Sequence, residues 1–130
     1  MAVNALGDIY DWKTGQKIAG LLAEDKKSFR STEELMCTST EVIENKFTGN
    51  TTIGVVITNG KFSKSSLCKI AGMAHDGYAG DSIYAVSVGT VSADQDLTGA
   101  LAAEVMSEAI LRAVKSAESA YGYPGLGNLR

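Results

Sequence analysis

Histidine occurs once in the 130 residues, at His75, proline once, at Pro124, and cysteine twice, at Cys37 and Cys68. A lone histidine excludes a His-based metal cluster, and two distant cysteines give neither a disulfide framework nor zinc-ligand spacing. The chain also lacks any apolar run near the ~20 residues of a membrane span, and no basic-then-apolar signal opens it. A cytoplasmic location and no membrane partner are therefore expected. Charge imbalance is missing too: 12 basic and 15 acidic side chains leave a formal net charge of −3. A nucleic-acid partner would need a basic face to neutralise phosphates, and this balance argues against one. Repeats and low-complexity tracts are absent.

What is present is the composition of an ordinary folded chain, 45% hydrophobic and 21% charged. One domain is the natural count at this length, burying roughly two thirds of the unfolded surface. Residues 2–11 read as an extended stretch, Lys13-Thr14-Gly15 as a turn, and Ile18 to Leu22 as a short strand or irregular run. From Glu24 to Gly49 the sequence is polar and loop-like, except that Ser31 can cap one helical turn with Glu34 three residues on. Thr52 to Thr58 is a β-branched run apolar on both faces, which suits a strand covered on both sides. Asn59-Gly60 marks a turn. Ser63 can cap a helix with Leu67, Ile70, Ala71, Ala74 and Tyr78 on one stripe, and Ser82 to Val88 is a second strand. Asp94 or Asp96 can cap the longest helix, with Met106, Ala109, Ile110, Ala113 and Ala117 on its stripe. The fold class is α/β (α+β).

Several motifs carry no function. The stretch from Gly54 to Lys61 has the wrong glycine spacing for a phosphate loop, and Phe62 stands where Ser or Thr is required. Gly122, Gly125 and Gly127 read as a flexible tail with no following helix to hold an anion. Asn50-Thr51-Thr52 matches a glycosylation acceptor by chance in a chain without a secretory signal. His75 reads as a helix histidine with a structural hydrogen bond, and Cys37 and Cys68 as unreactive thiols. No cofactor and no metal are implied.

One junction remains, Phe47-Thr48-Gly49-Asn50-Thr51-Thr52-Ile53-Gly54-Val55-Val56. Read from its residues alone, it is a Gly-Asn turn leading into a strand, with Thr51 at the strand's first position. The run from Gly49 to Asn59 resembles the self-cleavage site of the DmpA-type aminopeptidases, the L-aminopeptidase/D-esterase family that includes nylon-oligomer hydrolases. Met73-Ala74-His75-Asp76-Gly77-Tyr78-Ala79 and Gly80-Asp81-Ser82-Ile83-Tyr84-Ala85 resemble segments downstream of that family's nucleophile. Upstream, Val3-Asn4-Ala5-Leu6-Gly7-Asp8 and Thr14-Gly15 followed by Ile18-Ala19-Gly20 resemble its pre-cleavage stretch. The similarity runs in order over nearly the whole chain.

This resemblance implies an N-terminal-nucleophile hydrolase, built as part of an αββα sandwich and self-activated at Asn50-Thr51 into residues 1–50 and 51–130. It implies Thr51 as nucleophile, with its freed α-amine as the base. Asn4 would donate to the oxyanion, and Asp81 would support the Thr51 amine. From the residues alone, Asn4 reads equally as a strand-edge hydrogen bonder and Asp81 as a solvated residue opening a strand. The implied substrate is a peptide or amino-acid amide losing its N-terminal residue. An oligomer is expected, or a partner supplying the family's large N-terminal portion, whose lysine or tyrosine near the nucleophile has no counterpart here. The family also has a longer stretch between the positions of Ala79 and Gly80, so of its Asp-Gly-Asp only Asp81 remains. The chain then corresponds to a single domain or to the C-terminal part of such a precursor. An inactive remnant, or a subunit of a split hydrolase with a structural or binding role, is the alternative. A plain ligand-binding α/β domain is the third.

Overall fold

A computed structural model describes residues 1–4, 7–39, 51–75 and 81–126. Asn50, Tyr78 and Gly127 lie outside the described residues. Among the described residues the chain is mixed α and β, with three helices, a mixed three-stranded sheet and a two-stranded one. It divides into two units, Met1–Asn4 with Thr51–Ile110, and Ala5–Asn50 with Leu111–Arg130.

The first unit is built on a three-stranded sheet of β1 (Ala2–Asn4), β4 (Thr51–Gly60) and β5 (Ser82–Val91), in the order β1-β4-β5. β4 pairs antiparallel with β1 and parallel with β5. A parallel pair needs a crossover, and α2 (Lys64–Ala74) provides it. The Ser63 hydroxyl accepts the Ser66 N–H at 3.2 Å and so caps α2 at the predicted residue. α3 (Gln95–Lys115) is capped by Asp94, whose carboxylate accepts the Leu97 N–H at 2.7 Å. Ile70 and Ala74 of α2 and Ala102 and Met106 of α3 form the buried cluster, and Val56, Ile83 and Ala85 of the sheet pack on it. Gly54 brings the sheet close to α3, since a Cβ there would lie 2.8 Å from the Met106 Cε.

Two expectations change in this unit. β4 is apolar on both faces, but Ile53, Val55 and Ile57 are exposed while Thr52 and Gly54 are buried, so only the helix-facing side is covered. Asn59-Gly60 is not a turn: both residues continue β4, and the Ser87 hydroxyl donates to the Gly60 carbonyl at 2.6 Å. The stripe predicted for α3 holds at buried Met106 and half-buried Ala109, Ile110 and Ala113, and it extends toward the helix start through buried Ala102 and Gly99, while Ala117 is exposed and Leu97, Leu101 and Val105 form a second, exposed apolar side.

In the second unit, β2 (Ile9–Tyr10) and β3 (Lys17–Ala19) form an antiparallel pair. Its turn uses the Asp11 carboxylate as acceptor for the Lys13 N–H at 3.0 Å and Gly15 at φ 70°, a conformation that favours glycine. α1 (Thr32–Thr38) is capped by Ser31, which accepts the Glu34 N–H at 3.1 Å, again as predicted. Asp8 ties these pieces together. Its carboxylate meets the Lys17 ammonium at 2.6 Å, the Thr32 N–H at 2.9 Å and the Thr32 hydroxyl at 2.8 Å. The glycine-rich tail is structured through Leu126, contrary to expectation: Ala120 and Tyr123 exchange backbone hydrogen bonds, and buried Gly125 donates to the Ser119 hydroxyl at 2.8 Å.

Two outcomes follow for stability. A Cβ on Gly89 would lie 2.6 Å from the Gly60 carbonyl carbon, where backbone cannot yield, whereas at Gly54 only side-chain ends are met. Gly89→Ala should lower the unfolding free energy by about 2–3 kcal/mol and Gly54→Ala by distinctly less, read from urea midpoints. Burial raises the Asp8 carboxyl, but the hydrogen bonds from Lys17 and Thr32 outweigh it and hold the group below its usual value. A depressed carboxyl stabilises the fold above its unfolded value, near ~3.9, and loses that contribution as pH falls through its folded value. Asp8→Asn should therefore cost about 1–2 kcal/mol at neutral pH, with the gap to wild type closing on acidification below pH ~4.

Candidate active site

Thr51 opens β4 and is half-buried. Its direct partner across the antiparallel β1–β4 pair is Asn4, the last residue of β1. Directly opposed residues project to the same side of a sheet with Cβ atoms roughly 4.5–5.5 Å apart, so these two side chains share one end of one face. The pairing of residues distant in sequence comes from the Ala2–Ile53, Val3–Thr52 and Asn4–Thr51 register.

Asp81 stands immediately before β5, half-buried. The Ile53–Ser82 pair places it level with Thr52 in the parallel register. Its carboxylate accepts the Thr52 N–H at 2.8 Å. Asp81 thus holds the backbone one residue beyond Thr51, at the end of the ladder where pairing would otherwise fray. Nothing local in the sequence marks Thr52 as that anchor; only the register between β4 and β5 reveals it.

The residues to which the sequence assigns no function occupy plain structural positions. His75 is the exposed C-cap of α2 and donates its backbone N–H to the Gly72 carbonyl at 3.2 Å. Cys37 and Cys68 are exposed free thiols. Residues 54–60 lie in a strand rather than in a phosphate-cradling loop. Among the described residues no group of three or more His, Cys, Asp or Glu side chains could hold a metal ion, and no helix is long and apolar enough to cross a membrane.

Two concavities, of about 230 and 500 Å³, lie within the second unit. The smaller is mainly apolar, with Leu22, Phe29, Val114 and Pro124 among its walls. Neither is lined by Asn4, Thr51 or Asp81. Asn4 is exposed, whereas Thr51 and Asp81 are half-buried.

No family model, curated protein or solved structure matches this chain. The resemblance to the DmpA-type family thus stands on the residues quoted for it. For the geometry itself, Asp81→Ala should leave the Thr52 N–H without its carboxylate partner and destabilise the fold by about 1–2 kcal/mol. Faster amide hydrogen exchange at Thr52 and Ile53 than at Val56 would locate the loss at this end of β4.

Proposed function

We propose that the chain is an N-terminal-nucleophile amidohydrolase, an aminopeptidase acting on peptides or amino-acid amides and activated by its own cleavage at Asn50-Thr51. Its sheet would be one layer of an αββα sandwich. The observation that carries this reading is the placement of Thr51 opposite Asn4 at one sheet end, with Asp81 bonded to the next backbone N–H. In the activating step Thr51 Oγ adds to the Asn50 carbonyl carbon. The C–N bond breaks as the nitrogen takes the hydroxyl proton, leaving Asn50 esterified on Thr51. Water then hydrolyses the ester to a carboxylate on Asn50 and a free amine on Thr51.

In turnover that α-amine, titrating near ~8, accepts the hydroxyl proton as Thr51 Oγ attacks a substrate carbonyl, then returns it to the leaving amine. Proton transfer of this kind is worth roughly 10²–10⁴ in rate. The Asn4 amide donates to the developing oxyanion, a contribution of about 3 kcal/mol. Asp81 positions the Thr51 end of β4 and compensates the charge the amine acquires. An inactive remnant, or a structural or binding subunit of a split hydrolase, is the second reading.

Intact-mass spectrometry tests the proposal. Wild-type protein should yield a product of residues 51–130, and Thr51→Ala should stay whole. Hydrolysis of amino-acid p-nitroanilides should appear with cleavage, rise with pH to a plateau above ~8, and fall about 10²-fold in Asn4→Ala. An uncut wild-type chain after long incubation at neutral pH, indistinguishable from Thr51→Ala, would sink autonomous cleavage. Activity gained only on adding a partner chain would favour the second reading.

A further inference from the structure

The geometry points to a binding site for a small aromatic carboxylate in the larger concavity of the second unit, the one of about 500 Å³. Its size lies within the ~300–1,000 Å³ of small-molecule sites. Two short segments line it, Asp25 to Lys27 and Ser119 to Pro124. Both are braced from within. In the first, the Lys26 N–H donates to the Ala23 carbonyl at 2.9 Å, and the Asp25 carboxylate accepts the Lys27 and Ser28 N–H groups at 2.9 and 3.0 Å. In the second, Ala120 and Tyr123 exchange backbone hydrogen bonds across Tyr121 and Gly122, which stand at φ 53° and 82°. That is the backbone of a two-residue hairpin turn, which Asn-Gly suits far better than Tyr-Gly. A tyrosine at this φ is a steric outlier, and Tyr121 is also 99% exposed. Neither packing nor backbone preference accounts for that side chain, whereas a ligand in the concavity it borders would.

Charge and ring chemistry select the ligand. The Lys26 ammonium lies 6.0 Å from the centre of the Tyr123 ring, and neither Lys26 nor Lys27 has an ion pair among the described residues. Asp25 is the one acidic residue lining the concavity, and its carboxylate is occupied by the two N–H groups and by the Ser28 hydroxyl at 2.9 Å. Those bonds hold its carboxyl below the usual value, so it stays charged. Two ammonium groups against one carboxylate leave a single positive charge, which a monoanion matches and a phosphate dianion exceeds. Tyr121 and Tyr123 offer exposed rings on which a planar ring can stack in an offset or edge-to-face arrangement. The ligand class is therefore a ring that carries a carboxylate. The site involves none of Asn4, Thr51 and Asp81, so it does not depend on the hydrolase reading.

Isothermal titration calorimetry of the full chain with 3-phenylpropanoate tests this, a probe that has no amide bond to hydrolyse. The expected dissociation constant is about 1 mM, ordinary for a ligand of this size. Lys26→Gln with Lys27→Gln should raise it at least about tenfold. Tyr121→Asn should raise it about tenfold while raising Tm, because Asn-Gly fits the turn; weaker binding by a more stable chain is not a folding defect. Thr51→Ala should bind as wild type does, which keeps this site distinct from the proposed catalytic one. No heat up to about 10 mM, equal affinity for 3-phenylpropylamine or for acetate, tighter binding of phenyl phosphate, or indifference to the Lys26 and Tyr121 substitutions would each overturn the proposal.

Discussion

The two-residue period of β4 is the constraint on which the first unit depends. β4 is hydrogen-bonded on both sides, antiparallel to β1 and parallel to β5. A slip of one residue against either neighbour would exchange its two faces. Thr52, Gly54 and Val56 face the helices, where Gly54 lies under Met106 and Val56 joins the cluster around Ile70. Thr51, Ile53, Val55 and Ile57 consequently face the other way. The direction of the Thr51 side chain is thus decided by packing on the opposite side of the sheet, not by residues beside it.

Side-chain bonds to the backbone hold the parallel ladder at both ends. At one end Asp81 accepts the Thr52 N–H, and at the other Ser87 donates to the Gly60 carbonyl and accepts the Gly89 N–H at 3.1 Å. The second contact lies where the register shifts between Thr58 and Gly60 and β5 carries extra residues. Parallel strands have no tight hairpin to set their register, so these end contacts and the α2 crossover take over that task. The second unit uses the same device differently. One carboxylate, Asp8, gathers a lysine from β3 and the first N–H of α1, joining two short elements that could not hold together through backbone pairing alone.

Local chemistry was legible in the sequence wherever it is decided within four residues. The caps at Ser31 and Ser63, the turn at Gly15 and the two long strands all belong to that class. The misses share one cause. Apolar side chains at Ile53, Val55 and Ile57 state that burial would be favourable, not that a layer is present to provide it. Asn59-Gly60 has turn composition, but its chain direction is set by β5, which lies far along the sequence. Asn4 opposite Thr51 is similarly non-local: the resemblance pairs them by role, whereas position follows only from the β1–β4 register.

The two faces of β4 also separate two kinds of change. Substitutions at Ile53, Val55 or Ile57 alter the exposed face of the sheet while leaving the helix-side packing that fixes the register untouched. Substitutions at Gly54 or Met106 act in the opposite sense. They press on the sheet from the helix side, and because Asn4 is paired to Thr51 through the backbone, both residues would move together rather than apart. The geometry between Thr51 and Asn4 is therefore more robust than the position of either. A core change that lowers stability without breaking the β1–β4 pair should preserve their relation, whereas loss of that short pair would separate them even in a chain whose core is intact.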